Sequence, residues 1–172
     1  MADKKEIQAR AEALLAQGVG KSEVFRQLSG QGMKDRRLAA WLAARHDPQA
    51  RAEMSLHVNI LVGLMVLQAL IVLAVGWQVS MWLGLALTSI PLLFAWGFRK
   101  PYAGAYTGYL FLSIVTVGRN VAQLFPITTG GLVGVALSIA MICYVFWIQR
   151  RIFPDMNFLG PMRKGSRFVF TT

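Results

Sequence analysis

Metal binding and nucleophilic or acid–base catalysis need histidine, cysteine or carboxylate side chains within reach of one another. This chain of 172 residues is poor in all three, with two histidines, one cysteine and eight acids. His46 and His57 have no cysteine or second histidine at ligand spacing. Cys143 stands alone in an apolar stretch, so no intrachain disulfide or thiolate metal site can form. Seven of the acids precede residue 54, and the eighth is Asp155. No G-x-S-x-G, Walker-type loop, H-E-x-x-H or C-x-x-C occurs. "GVGK" at 18–21 lacks phosphate-loop spacing and a preceding strand, so it reads as a helix connection. These absences predict a protein that is not an enzyme and holds neither metal nor cofactor.

The chemistry that remains is binding chemistry. The segment 149–172, "QRRIFPDMNFLGPMRKGSRFVFTT", is both cationic and aromatic. Arg150 and Arg151 directly follow an apolar run and are expected to anchor its end. Phe158, Phe168 and Phe170 can enter a headgroup boundary or meet a partner, while Arg163, Lys164 and Arg167 meet anionic lipid. Pro154, Gly160, Pro161 and Gly165 forbid one long helix, so the tail is expected to be short and irregular, docked on lipid or on protein, with "SRFVF" alternatively a short edge strand or packed onto the amino-terminal helices.

What must position these groups is a membrane-embedded body. Between Glu53 and Arg99 lie 45 residues with no Asp, Glu, Lys or Arg. A helix of that length would extend about 67 Å against a hydrocarbon core near 30 Å, so it divides into two spans. The turn is expected within "GWQVSM", residues 76–81, flanked by Trp77 and Trp82 at interfacial depth. Four spans are expected, at about 56–76, 80–98, 101–118 and 131–148, in an all-α integral membrane bundle. The domain boundaries follow: an amphipathic helical module over 1–53, four spans over 54–148, and the tail over 149–172.

Charge distribution sets the expected topology. The net charge of +10 divides into +3 for residues 1–53 and +7 for the remainder. The first connection between spans carries no basic residue and the third only Arg119; the second carries Arg99 and Lys100. The positive-inside rule then puts both termini and Arg99–Lys100 in the cytoplasm, with Arg99, Lys100, Arg150 and Arg151 as topology anchors in a multi-pass plasma (inner) membrane protein. The amino terminus lacks the positive-then-apolar pattern of a cleaved signal, so the first span is expected to direct its own insertion.

Within the spans the polar residues are Gln68, Thr88, Ser89, Ser113, Thr116 and Ser138. Gln68, near mid-span, is the costliest to leave facing lipid and is expected to make an interhelical hydrogen bond. Gly104-x-x-x-Gly108 and Gly130-x-x-x-Gly134 mark a helix-packing or oligomer face. Tyr102, Tyr106 and Tyr109 share one aromatic face, and Pro91 is expected to kink its helix.

The first 53 residues read as short amphipathic helices. Ile7, Ala11, Leu14 and Leu15 share one face, Gly18 is a stop, and Ser22 is the expected N-cap of a second helix. Leu38, Trp41 and Leu42 face inward on a third, and Asp47–Pro48 opens a helix that can run unbroken into the membrane. "SEVFRQLSGQGMKDRRLAAWLA" resembles a helix-turn-helix in outline, with Met33, Leu38 and Trp41 fitting that pattern. Leu28, however, stands where that family has a small residue, and Gln27 and Gln31 where it has apolar ones. A docking module is therefore the expectation, and nucleic acid is not the expected partner.

The reading is thus a small non-catalytic membrane protein that binds, scaffolds or regulates a partner, in the manner of an assembly factor or immunity protein. Its partners are anionic lipid headgroups and a second protein or a second copy of itself. The alternatives are a subunit of an oligomeric small-solute transporter or channel, and a membrane-tethered DNA-binding regulator.

Overall fold

The computed structural model describes residues 4–46, 48–122, 129–157, 160–165 and 167–170. The chain separates into two compact units. One, the terminal unit, combines Met1–Asp47 with Phe153–Thr172; the other, the apolar unit, is Pro48–Ile152. The tail therefore belongs with the amino-terminal helices, where sequence alone divides the chain into three successive parts.

The terminal unit holds α1 (Lys4–Ala16), α2 (Lys21–Leu28) and α3 (Asp35–Ala43). Their apolar stripes meet in one core of Ile7, Ala11, Val24, Leu28, Met33, Leu38 and Leu42. Leu14, Leu15 and Trp41 pack partly buried against it. Gly18, at φ 80, makes the turn after α1. Ser22 is not the N-cap of α2: that position falls to Gly20, and the helix begins at Lys21. The earlier start places Lys21 in the first turn, where its side chain turns inward. Asp47 lies outside the described residues.

The tail is not wholly irregular, and the alternative of a short strand within "SRFVF" is met at Arg167–Phe168. Met156–Asn157 (β1) pairs antiparallel with Gly160–Pro161 (β2), and Arg163–Lys164 (β3) with Arg167–Phe168 (β4). Asn157 stands opposite Gly160 and Lys164 opposite Arg167. Glycines at φ 134 (Gly160) and φ 63 (Gly165) supply backbone conformations that side chains disfavour. The Gly and Pro residues that rule out a helix are the same ones that permit these two small hairpins.

The apolar unit holds α4 (Pro48–Glu53), α5 (Ser55–Val79), α6 (Met81–Arg99), α7 (Ala103–Ala122) and α8 (Thr129–Ile152). The helix from Pro48 is interrupted at Met54, with φ −88 and ψ 6, rather than running unbroken. Hydrogen bonds still cross the break, from Met54 N–H to the Ala50 carbonyl and from Val58 N–H to that of Met54. Ser80, extended at φ −164, is the one residue between α5 and α6, within the expected turn.

Packing of α5 on α6 depends on residues without side chains. A Cβ on Gly76 would lie 2.6 Å from the Gly84 Cα, and one on Gly84 would lie 3.0 Å from the Trp77 nitrogen. Between α6 and α7, a Cβ on Gly97 would collide with that of Ala105. Phe98 is fully buried against Tyr106, with ring centroids 4.7 Å apart, and Tyr109 meets both Phe94 and Phe98. Tyr102 stays exposed, so only two of the three tyrosines on that face pack.

Among the described residues three helices, α5, α6 and α8, are long and apolar enough to cross a membrane. The expectation of four such spans is met only in part. Helix α7 has the length, at 20 residues, but carries Arg119 and Asn120 in its last turn and three glycines and two tyrosines along it. Those residues dilute its apolar character.

Candidate functional site

The lone acid of the tail organises the terminal unit. Asp155 is fully buried, and its Oδ2 accepts a 2.7 Å hydrogen bond from Lys21 Nζ, whose side chain is 11% exposed. The same ammonium donates to the carbonyl of Arg45 at 3.1 Å. One lysine thus ties the start of α2 to the end of α3 and to the tail. An ion pair out of water gains no large net stability, because desolvation offsets the attraction. Removing one partner is another matter, since it strands a buried charge.

Aromatic packing closes the same joint. Phe25 of α2 contacts Phe168 at a centroid distance of 5.5 Å and Phe170 at 5.6 Å. Arg163 lies over the Phe168 ring at 4.5 Å, and Phe153 is fully buried. Val169 N–H donates to the Met162 carbonyl, and Met162 N–H to that of Asp155, which links the two hairpins. Two of the tail phenylalanines expected at lipid or a partner thus pack on the chain's own module. Phe158 lies outside the described residues.

The cations remain outward. Arg163, Lys164 and Arg167 are exposed, as are Lys34, Arg36 and Arg37 where α3 begins. Leu28 is buried where a helix-turn-helix has a small residue, and Gln27 and Gln31 are exposed where that fold has core positions. Glu23, in the first turn of α2, has its carboxyl held below the ordinary range by hydrogen bonds from Gln27 and, next, Arg26.

In the apolar unit the anchors Arg99, Lys100, Arg150 and Arg151 are exposed at helix ends. Lys100 lies over the Trp96 ring at 4.6 Å and Arg150 over that of Phe146 at 5.7 Å. His57 Nδ1 lies 3.1 Å from the Tyr144 hydroxyl, and its ring meets Trp147 edge-on at 5.0 Å. Among the described residues no three His, Cys, Asp or Glu side chains converge as a metal site would require.

The small-residue face separates into two kinds. Gly104 sits under the Tyr102 ring and Gly108 near Phe94, whereas among the described residues Gly130 and Gly134 have nothing within 4 Å of a notional Cβ. Gln68 is exposed in the wall of a groove of about 610 Å³ that all four long helices line, Pro91 and Thr116 on one side and Ser138 and Met141 on another. Thr116 and Ser138 donate to carbonyls of their own helices, those of Leu112 and Gly134.

Lys21 and Asp155 were absent from the residues singled out by sequence. The available signal was Asp155 itself, the one acid after residue 53 and the one in a strongly basic tail. Nothing local marks Lys21 as its partner, because 134 positions separate them. No family model matches this chain, and neither a curated protein nor a solved structure matches it.

Proposed function

We propose that this chain is a non-catalytic protein of the plasma membrane that holds a partner protein at the cytoplasmic face, through a helical module locked by its own tail. The observation that carries the reading is the buried Lys21–Asp155 joint, which builds both ends of the chain into one compact unit. Two ends in one folded unit lie on one side of a bilayer, and an even number of crossings must separate them. Three crossings would leave the ends on opposite faces. Helix α7, long enough but less apolar, is therefore read as the fourth span, inserted because its neighbours cover Tyr106 and Tyr109. The basic residues of the terminal unit and the Arg99–Lys100 turn then share the cytoplasmic side, as the positive-inside rule requires.

This topology leaves the terminal unit as the part that meets macromolecules of the cytoplasm. Its outward cations, Arg163, Lys164 and Arg167, each add about 1 kcal/mol of attraction when held near anionic headgroups. A module closed in this way presents a rigid surface at low entropic cost, which favours docking over catalysis.

The test is purification of the full-length protein in mild detergent, wild type beside Asp155→Ala. A second protein in fixed ratio is expected with the wild type and reduced with the variant, while both variants remain in the membrane fraction. Recovery of the chain alone in each case would remove the reading. Sidedness is checked in a Cys143→Ser background: Cys at Glu12 and at Lys164 should label from the cytoplasm, and Cys at Ser80 from the opposite face.

A further inference from the structure

We propose that two copies of the chain associate within the membrane, with Gln68 of each hydrogen-bonded to Gln68 of the other across a two-fold axis. Gln68 lies thirteen residues after Ser55 and eleven before Val79, the ends of α5. At helical rise it is roughly 16–20 Å from either end, the middle of a hydrocarbon core near 30 Å. Among the described residues its carboxamide has no hydrogen-bond partner. Nearby hydroxyls make no use of it, since Thr116 and Ser138 are bonded within their own helices.

At that depth phospholipid offers only acyl chains, which can neither donate nor accept. An exposed carboxamide there is costly until something polar meets it. A carboxamide carries both donors and an acceptor, so two related by a two-fold axis satisfy each other reciprocally.

A second observation supplies room for the other chain. Gly130, Gly134 and Ser138 recur every four residues on α8, and Ser138 reaches the groove wall that holds Gln68. Among the described residues nothing on another element lies within 4 Å of a Cβ placed on either glycine, and only 11% of the apolar stretch of α8 is buried. Small residues with nothing against them let another helix approach closely. The α5 of the second copy fits between α5 and α8 of the first, bringing its exposed Ile71 and Val75 against that stripe. The arrangement is isologous, because each α5 then lies in the groove of the other copy.

The experiment uses the full-length chain in its native membranes, in a Cys143→Ser background. Mild oxidation of Gln68→Cys is expected to give a disulfide-linked dimer, whereas Leu93→Cys, exposed on α6 but outside the groove, gives none. Native mass spectrometry in mild detergent should show the wild type as a dimer and Gln68→Leu as about tenfold weaker in association. Gel filtration of Gln68→Leu as a single sharp species excludes misfolding as the cause. A strictly monomeric wild type, or crosslinking at residue 93 and not at 68, overturns the proposal. So does a monomer carrying a small apolar molecule that Gln68→Leu releases, which would assign the groove to a ligand. These readouts concern one chain only, so failure to capture a second protein leaves them intact.

Discussion

The two units of this molecule are held together by opposite means. The terminal unit joins segments at the two ends of the sequence, through an apolar core, a buried ion pair and three phenylalanines. The α5–α6 pair of the apolar unit joins sequence neighbours, and does so by omission, with Gly76 and Gly84 allowing backbone to lie on backbone. Solvent explains the difference. In water, burial of Leu and Phe drives association, so large side chains make the core. In lipid that drive is absent, and helices gain only from close contact, so the smallest residues mark the interface.

The largest effect should come from the ion pair. Asp155→Ala leaves the Lys21 ammonium buried without its carboxylate, at a cost of about 3–5 kcal/mol. The expected outcome is release of the tail, seen as fast amide exchange and protease cleavage after Phe153. The double variant Lys21→Met/Asp155→Leu should recover most of that loss, because an apolar pair removes the stranded charge. If the double variant is as unstable as the single one, the joint depends on shape and not on charge.

Next in size is the contrast between glycines. Gly76→Leu forces a side chain into the Gly84 backbone and should destabilise the α5–α6 pair by about 3 kcal/mol. Detergent unfolding followed by circular dichroism measures it. At Gly134 a Cβ meets nothing among the described residues, so Gly134→Leu should leave the same unfolding curve unchanged. Equal losses at both positions would erase the distinction between packed and open glycines.

The smallest effect concerns Glu23. Its carboxyl is held below the ordinary value of 4.5 by Gln27 and Arg26, so ionisation favours the folded state. That contribution is present above the unfolded value and fades as pH falls through the lower folded one. The melting temperature of Glu23→Gln should therefore approach that of the wild type as pH drops below 4.5. A gap that stays constant with pH would mean that the carboxylate charge plays no part.

Much of this was legible in the chain itself. Ile7, Ala11, Leu38 and Leu42 repeat at helical spacing, and all four are buried. The turn at Ser80 followed from a run too long for one crossing. The tight glycines were less legible: Gly104, Gly108, Gly130 and Gly134 stood out by motif, yet the closest approaches are at Gly76 with Gly84 and at Gly97 with Ala105. A four-residue glycine spacing describes one helix, whereas a close approach belongs to two.

Sequence by itself determined the solvents of this protein: which segments suit lipid, which suit water, and where helices start and stop. Those properties are sums over neighbouring residues, and neighbours are what a sequence displays. Only the tertiary structure decided that Lys21 meets Asp155, that Phe168 and Phe170 pack on Phe25, and that Gln68 has no hydrogen-bond partner among the described residues. Each of these depends on two distant segments arriving at one place, and no local pattern encodes that meeting.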